Sequence, residues 1–216
     1  MQKDFEGKTK FISDKKNGGF TIIELLVASA LSLVLMTGIY SVYRSQQKSY
    51  VVREQITSMQ QNLRAGMVMI TSDIRMAGYV YPSVILTGGV TPGIIEANTN
   101  DLKFRLLKDK DNPPASTDPE TIRYSLNDKD GDGDTDLVKE VDGGVPQLVA
   151  ENIDVLSFSY LDITGTVIAD PPSNLGLIKS IQVTMQAKTG KKDQGYADNG
   201  GFRTRTLSRE IKCRNL

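Results

Sequence analysis

A long apolar segment near the N-terminus constrains this chain more than any other feature. Residues 20–43 include a single charge, Glu24. As an α-helix that rises about 1.5 Å per residue, the segment can cross a hydrocarbon core of about 30 Å. Residues 1–19 contain five lysines and three acidic residues. Because lysines favour the cytoplasmic side of a membrane, we expect this end to stay inside and the rest of the chain to lie outside.

A secretory signal peptide is the first alternative for this segment. Its apolar region is shorter and is followed by a cleavage site of small residues. Here the apolar run is longer, and no such site ends it before Arg44. The small residues Gly18 and Gly19 lie upstream instead. Cleavage after Gly19 would remove a leader and keep the helix.

The residues around Gly19 form a specific pattern. A basic leader ends in Gly18-Gly19, Phe20 follows, and Glu24 is the fifth residue after Gly19, within an apolar run. This arrangement resembles the type IV prepilin processing signal. The resemblance implies cleavage between Gly19 and Phe20 by prepilin peptidase, N-methylation of Phe20 and an assembly role for Glu24.

The position of Glu24 has a physical interpretation. An ionised carboxylate at the centre of a membrane helix costs about 2.5–3.5 kcal/mol. Glu24 lies only about 6 Å along the axis from Phe20, where the cost is smaller and the helix dipole favours an anion. Cleavage creates an amine at Phe20, and the resemblance implies that Glu24 pairs with such an amine on a neighbouring subunit and sets axial register. The alternative is a charge tolerated at the membrane edge.

The helical pattern continues beyond the apolar segment. No proline occurs in residues 20–81, and apolar residues follow at intervals of three and four, typical of one helix face. We predict one helix over residues 20–76, about 85 Å long, that ends at Gly78 and has weak points at Gly38 and Gly66. Its stripe is expected to pack on the protein's own sheet: Val52, Ile56, Met59, Leu63, Met67, Ile70 and Ile74.

From residue 80 the pattern changes to short alternating runs between turn residues, which indicates strands. The predicted strands cover residues 102–107, 121–126, 137–141, 153–161, 177–186 and 202–211. Residues 80–100 and 109–119 are predicted loops, and residues 188–201 a polar connection. The fold class is therefore α+β, and the resemblance implies the type IV pilin fold, a long helix on an antiparallel sheet.

The domain organisation follows from these boundaries. We predict a cleaved leader (residues 1–19), a transmembrane and filament-core helix (20–43), an amphipathic continuation of that helix (44–78) and a β-rich globular head (79–216).

Segments later in the chain indicate a subgroup within the type IV pilin-like proteins. Residues 59–64, 73–79, 150–160 and 203–208 resemble PilW-type minor pilins, near relatives of the J-type pseudopilins of type II secretion. The implied partners are other minor and major pilins, prepilin peptidase, the inner-membrane assembly platform and the membrane itself. The implied location is the bacterial inner membrane, single-pass with the head in the periplasm, and then a pilus or pseudopilus at the cell surface.

An acidic loop lies between two predicted strands. Asp128, Asp130, Asp132 and Asp136 match positions 1, 3, 5 and 9 of a calcium loop, and Gly133 takes position 6. Position 12 is Lys139 rather than a glutamate. The match is partial, so Ca²⁺ is a candidate ligand and a solvated hairpin tip is the alternative. The candidate ligands are Asp128, Asp130, Asp132, Asp134 and Asp136.

Other chemistry finds little support. The chain contains no histidine, which excludes Ser-His-Asp and Cys-His catalytic sites, and its only cysteine is Cys213. We predict no enzymatic activity and no required cofactor. Lysine and arginine total 26 and so do the acids, so no nucleic-acid partner is expected. A basic cluster near the C-terminus is interpreted as a solvated sheet edge, with DNA binding as the alternative: Lys179, Lys188, Lys191, Lys192, Arg203, Arg205, Arg209, Lys212 and Arg214.

Three functional hypotheses result. The first is a minor pilin that initiates or caps a type IV pilus, and the second is a J-type pseudopilin of a type II secretion system. The third belongs to another class: a Ca²⁺-dependent adhesive tip module delivered by a pilin helix.

Overall fold

A computed structural model describes residues 18–80, 91–107, 119–169 and 172–216 of the chain. It contains two compact units, Met1–Ser49 and Tyr50–Leu216. The division falls inside the predicted amphipathic segment 44–78. Most of the predicted leader lies outside the described residues, and so do most of the predicted loop 109–119 and about half of the predicted loop 80–100.

One long helix, α1 (Ile22–Met76), begins in the first unit and ends in the second. It starts two residues later than predicted and ends at the predicted residue. It is continuous through both predicted weak points, Gly38 and Gly66. Gly66 is buried, and a Cβ atom there would lie 3.0 Å from Leu137 Cδ2, so the absence of a side chain allows the sheet to approach the helix.

Within the first unit, the described helix residues are exposed on every face. The most apolar 18-residue window of α1 has a mean hydropathy of 2.2 and none of it is buried. By length and composition this helix can cross a membrane.

The second unit contains eight antiparallel strands among the described residues. A five-stranded sheet follows chain order, β1-β2-β3-β4-β5, and a three-stranded sheet has the order β6-β7-β8. The strands are β1 (Gly93–Ala97), β2 (Leu102–Leu107), β3 (Pro119–Asn127), β4 (Asp136–Val141), β5 (Gln147–Ala150), β6 (Ile153–Leu161), β7 (Ser180–Lys188) and β8 (Thr204–Lys212).

The strand predictions are confirmed at six places and wrong at two. β1 lies in the segment predicted as a loop, and β5 was not predicted. Both are short edge strands, and β1 contains a bulge between Ile94 and Glu96, so neither shows the alternation of a half-buried strand. β7 begins three residues later than predicted because Leu175–Leu177 form a 3-10 turn, with Asn174 as its N-cap. The predicted single sheet is in fact two.

The core of the second unit forms where the helix stripe meets both sheets. Five of the seven predicted stripe residues are buried, and the other two, Val52 and Ile56, are half-buried. Large side chains from both sheets belong to the same cluster: Phe104, Tyr124, Phe158, Tyr160, Ile181, Val183 and Met185. The prediction that the stripe packs on the protein's own sheet is confirmed, and so is the α+β fold class.

Asp73 joins the helix to the five-stranded sheet. Its Oδ2 accepts hydrogen bonds of 2.6 Å from the Tyr124 hydroxyl and from Lys139 Nζ. Burial, followed by the nearby carboxylate, raises the pKa of Tyr124 above its usual value. Tyr124 therefore stays neutral and donates, and α1 is held against β3 and β4 by a polar contact as well as by the core.

Two residues after the end of α1, the backbone turns at Gly78 with a φ of 78°. The Gly78 N–H donates to the Arg105 carbonyl at 3.0 Å. A Cβ atom at Gly78 would lie 2.6 Å from the Asn215 carbonyl oxygen, so a side chain would displace the C-terminal tail.

We predict that Gly78→Ala destabilises the second unit more than Gly131→Ala does. Gly131 has the same kind of backbone, with a φ of 79°, but nothing lies within 4 Å of its Cβ position. The expected losses in the free energy of unfolding are about 3 kcal/mol for Gly78→Ala and about 1 kcal/mol for Gly131→Ala. Denaturant unfolding of the full chain in detergent, followed by near-ultraviolet circular dichroism of the buried tyrosines, measures both. Equal losses would contradict the tail contact.

Candidate functional site

The residues of the predicted cleavage site lie in exposed, non-helical chain just before α1. Gly18, Gly19 and Phe20 are exposed, and Phe20 is 91% exposed. A Cβ atom at Gly19 would meet nothing within 4 Å. An accessible, non-helical backbone suits a peptidase, and the first helical residue, Ile22, follows closely.

Glu24 forms a capping box with Thr21 at the start of α1. The Glu24 Oε2 accepts from the Thr21 N–H at 2.9 Å and from the Thr21 hydroxyl at 3.0 Å. In return, the Glu24 N–H donates to Thr21 Oγ1 at 3.2 Å. The sequence analysis missed this role, although the T-x-x-E pattern at residues 21–24 is its usual signal. Glu24 therefore has a partner in its own chain.

The acidic loop connects β3 to β4 and brings three of the five predicted ligands together. One carboxylate oxygen from each of Asp128, Asp130 and Asp136 lies within 4.8 Å of the others. Oxygens bound to one Ca²⁺ at about 2.3–2.6 Å can be up to about 5 Å apart, so the spacing fits a shared cation. Asp128 and Asp130 are exposed, whereas Asp136 is buried.

The other two predicted ligands lie outside this group. Asp134 forms an ion pair with Lys188, with 2.9 Å between Oδ1 and Nζ, and Asp132 is exposed. Lys188 also lies 3.3 Å from Asp154. These two carboxylates raise the pKa of Lys188, chiefly through the hydrogen bond to Asp134. Lys139, the residue at position 12 of the loop, contacts Asp73 instead.

Asp136 has a structural task of its own. It is 1% exposed, and its carboxylate accepts from the Lys129 N–H at 3.1 Å and the Asn152 N–H at 3.0 Å. These bonds tie the loop to the chain before β6. Asp136 is therefore fixed in place whether or not a cation is present.

Two members of the predicted basic cluster are neutralised locally. Lys188 pairs with Asp134 and Asp154, as described above, and Arg203 binds Asp193 with 2.8 Å between Nη2 and Oδ2. Arg205 and Arg209 lie on β8, at the edge of the three-stranded sheet. The cluster is thus divided between paired cations and an exposed sheet edge.

Comparison with known proteins identifies the N-terminal segment. Residues 14–40 match the family described as the prokaryotic N-terminal methylation motif. The match includes Gly19, Phe20 and Glu24. The chain therefore carries the N-methylation motif of type IV pilins, followed by an apolar helix and an α+β head.

Among solved structures, the chain is similar to a type IV-like pilin from Thermus thermophilus. The identity is 12% and the TM-score is 0.48, with 73% of this chain and 97% of that chain covered. No curated protein matches the sequence significantly.

We predict that Asp136→Ala destabilises the second unit by about 2 kcal/mol, because it removes a buried carboxylate that accepts from the N–H groups of Lys129 and Asn152. Asp132→Ala, in the same loop but exposed, is the matched control and should change stability by less than about 0.5 kcal/mol. Denaturant unfolding of both variants in detergent tests this. Equal effects would contradict the structural role of Asp136.

Proposed function

We propose that this chain is a type IV pilin-like filament subunit, and specifically a minor pilin of the PilW type that takes part in the initiation or tip complex of a pilus. The observation that carries the proposal is the methylation motif at residues 14–40, which includes the start of an apolar helix that is exposed on every face within its unit. Such a helix needs lipid or other apolar helices around it.

The proposed sequence of events begins in the bacterial inner membrane. The chain crosses it once, with the head in the periplasm. Prepilin peptidase cleaves between Gly19 and Phe20, and the new N-terminus is methylated. The assembly platform then moves the helix from lipid into a bundle formed with other minor and major pilins. This role is structural.

Glu24 is proposed to guide that transfer. In a filament core without water, a carboxylate requires a cationic or hydrogen-bonding partner. The Thr21 capping box satisfies Glu24 within its own chain, and the amine of a neighbouring Phe20 would add an opposite charge. Electrostatic pairing of this kind fixes the axial position of one subunit against the next.

A J-type pseudopilin of type II secretion is the other candidate within this class. It would use the same motif, helix and head. Deletion of the gene distinguishes the two, because loss of pili supports the minor pilin and failed secretion with normal pili supports the pseudopilin.

We predict that Glu24→Gln and Glu24→Ala are both cleaved normally and both fail to enter filaments. Glutamine can still accept the capping hydrogen bonds from Thr21 but carries no charge, so it separates capping from charge pairing. Immunoblots of membranes and of sheared filaments measure cleavage and incorporation. If Glu24→Gln entered filaments as well as the unmodified chain, charge pairing would be excluded and capping would suffice.

A second candidate function is a Ca²⁺-dependent adhesive module in the head. The observation that favours it is the convergence of the carboxylates of Asp128, Asp130 and Asp136. These side chains would hold the cation, which would neutralise repulsion within the loop and order it. Normal pili with lost attachment in a deletion strain would support this function over an assembly role.

We predict that about 5 mM Ca²⁺ raises the free energy of unfolding of the head by about 1 kcal/mol, the effect of a site with a millimolar Kd. Mg²⁺ should have a smaller effect, since it prefers a compact octahedral shell. The variant Asp128→Asn with Asp130→Asn removes two exposed ligands, spares the buried Asp136, and should abolish the response. Calorimetry and thermal unfolding of the full chain in detergent are the measurements. If Ca²⁺ gave no heat of binding and no shift in the unfolding temperature, the site would be excluded.

A further inference from the structure

A groove at the end of α1 carries three arginines. It has a volume of approximately 510 Å³ and lies between the last turns of the helix, β8 and the C-terminal tail. Arg75 comes from the helix, Arg209 from β8 and Arg214 from the tail. We call this surface the arginine groove. All three arginines are exposed.

The positive charge of the arginine groove is not compensated within the described residues. Its described lining contains no carboxylate, and none of its three arginines belongs to an ion pair among the described residues. Thr71 also lines the groove. It is 5% exposed, and its hydroxyl has no hydrogen-bond partner in the described part of the chain. The groove therefore offers donors and positive charge without a carboxylate in its described lining to match them.

This arrangement favours a ligand with carboxylates. Guanidinium groups bind carboxylates through two parallel hydrogen bonds, which give energy and geometric specificity. Three guanidinium groups around one groove repel each other, and an anion between them relieves that repulsion.

The same head carries a surface of matching charge. Asp128, Asp130 and Asp132 are exposed at the tip of the β3–β4 loop. Asp132 lines a second groove together with Val51 and Asn62, early in the head's part of α1. The arginine groove lies beside the helix from Val68 onward. The nearest helix residues of the two grooves, Asn62 and Val68, are six residues and about 9 Å apart along the helix axis.

We propose that the arginine groove of one copy binds the acidic loop of a second copy of this chain. The contact joins two different surfaces, so it is heterologous. The contact adds a partner to the proposed function, and it rests on that function because the two copies must be neighbours in a filament. The contact requires one copy to be offset along the helix axis relative to the other, as neighbouring subunits of a filament are.

The test uses two charge-reversed forms of the full chain in detergent with a chelator present. The loop form carries Asp128→Lys and Asp130→Lys, and the groove form carries Arg209→Glu and Arg214→Glu. Reporter cysteines, Lys129→Cys at the loop and Ser72→Cys at the groove, are placed on separate copies, and disulfide-linked dimers are measured under mild oxidation. Cys213 is buried and its pKa is raised to about 11, so it competes little at neutral pH.

Copies with the natural charges should form the dimer. The loop form alone and the groove form alone should each lose it by about tenfold or more, because like charges then face each other. A mixture of the two forms should restore it, since each reversed surface meets an opposite one. Thr206→Cys in place of Ser72→Cys is the control for random collision and should give little dimer.

Two results would overturn the proposal. One is no dimer above the Thr206→Cys control with the natural charges, which would assign the arginine groove to an acidic partner other than this chain. The other is a dimer that the charge reversals leave unchanged. Neither result bears on cleavage or methylation, because the assay requires no processing, so this inference and the proposed function fail independently.

Discussion

The exposed apolar surface of the first part of α1 is the constraint on which the rest of the structure depends. Between Ile22 and Ser49, every described side chain is exposed within its unit. Burying one large apolar side chain contributes about 1.5–3 kcal/mol, so this surface strongly favours lipid or a bundle of similar helices over water. Membrane insertion and filament assembly would both remove this apolar surface from water. In the proposed function, a subunit would move from one to the other without exposing the helix to water.

Glu24 interrupts that apolar surface at its first turn. The capping box with Thr21 gives the carboxylate three hydrogen bonds within its own chain. The capping box thus satisfies the polar end of the helix locally, and the proposed pairing with a neighbouring subunit would use only the net charge of Glu24. In the head, two carboxylates lie at joints between elements: Asp73 joins the helix to the sheet, and Asp136 joins the loop to the chain before β6.

The sequence was sufficient to predict the features that arise from local periodicity. The helix and its buried stripe follow from apolar residues every three or four positions, and the central strands from alternation. The edge strands β1 and β5 could not be predicted, because they are short and are defined by pairing with β2 and β4 rather than by their own pattern. For the same reason, the division into two sheets depends on contacts between distant segments.

The candidate sites differ in the same way: those formed by neighbouring residues could be predicted from the sequence, and those formed by distant segments could not. The cleavage motif is contiguous in sequence, so the sequence was sufficient to predict it. The capping box is also contiguous and could have been predicted, but it was not. The acidic loop was predicted to supply five ligands, and the carboxylates of three converge. Asp134 instead forms an ion pair with Lys188 from β7. The arginine groove combines the helix end, β8 and the C-terminal tail. Because these segments are distant in sequence, no sequence pattern predicts the groove.

Mass spectrometry of the chain recovered from filaments tests the central claim most directly. The account predicts a polypeptide that begins at N-methylated Phe20 and retains residues 20–43. A chain that begins beyond residue 43, or one that still carries Met1 in assembled filaments, would contradict it.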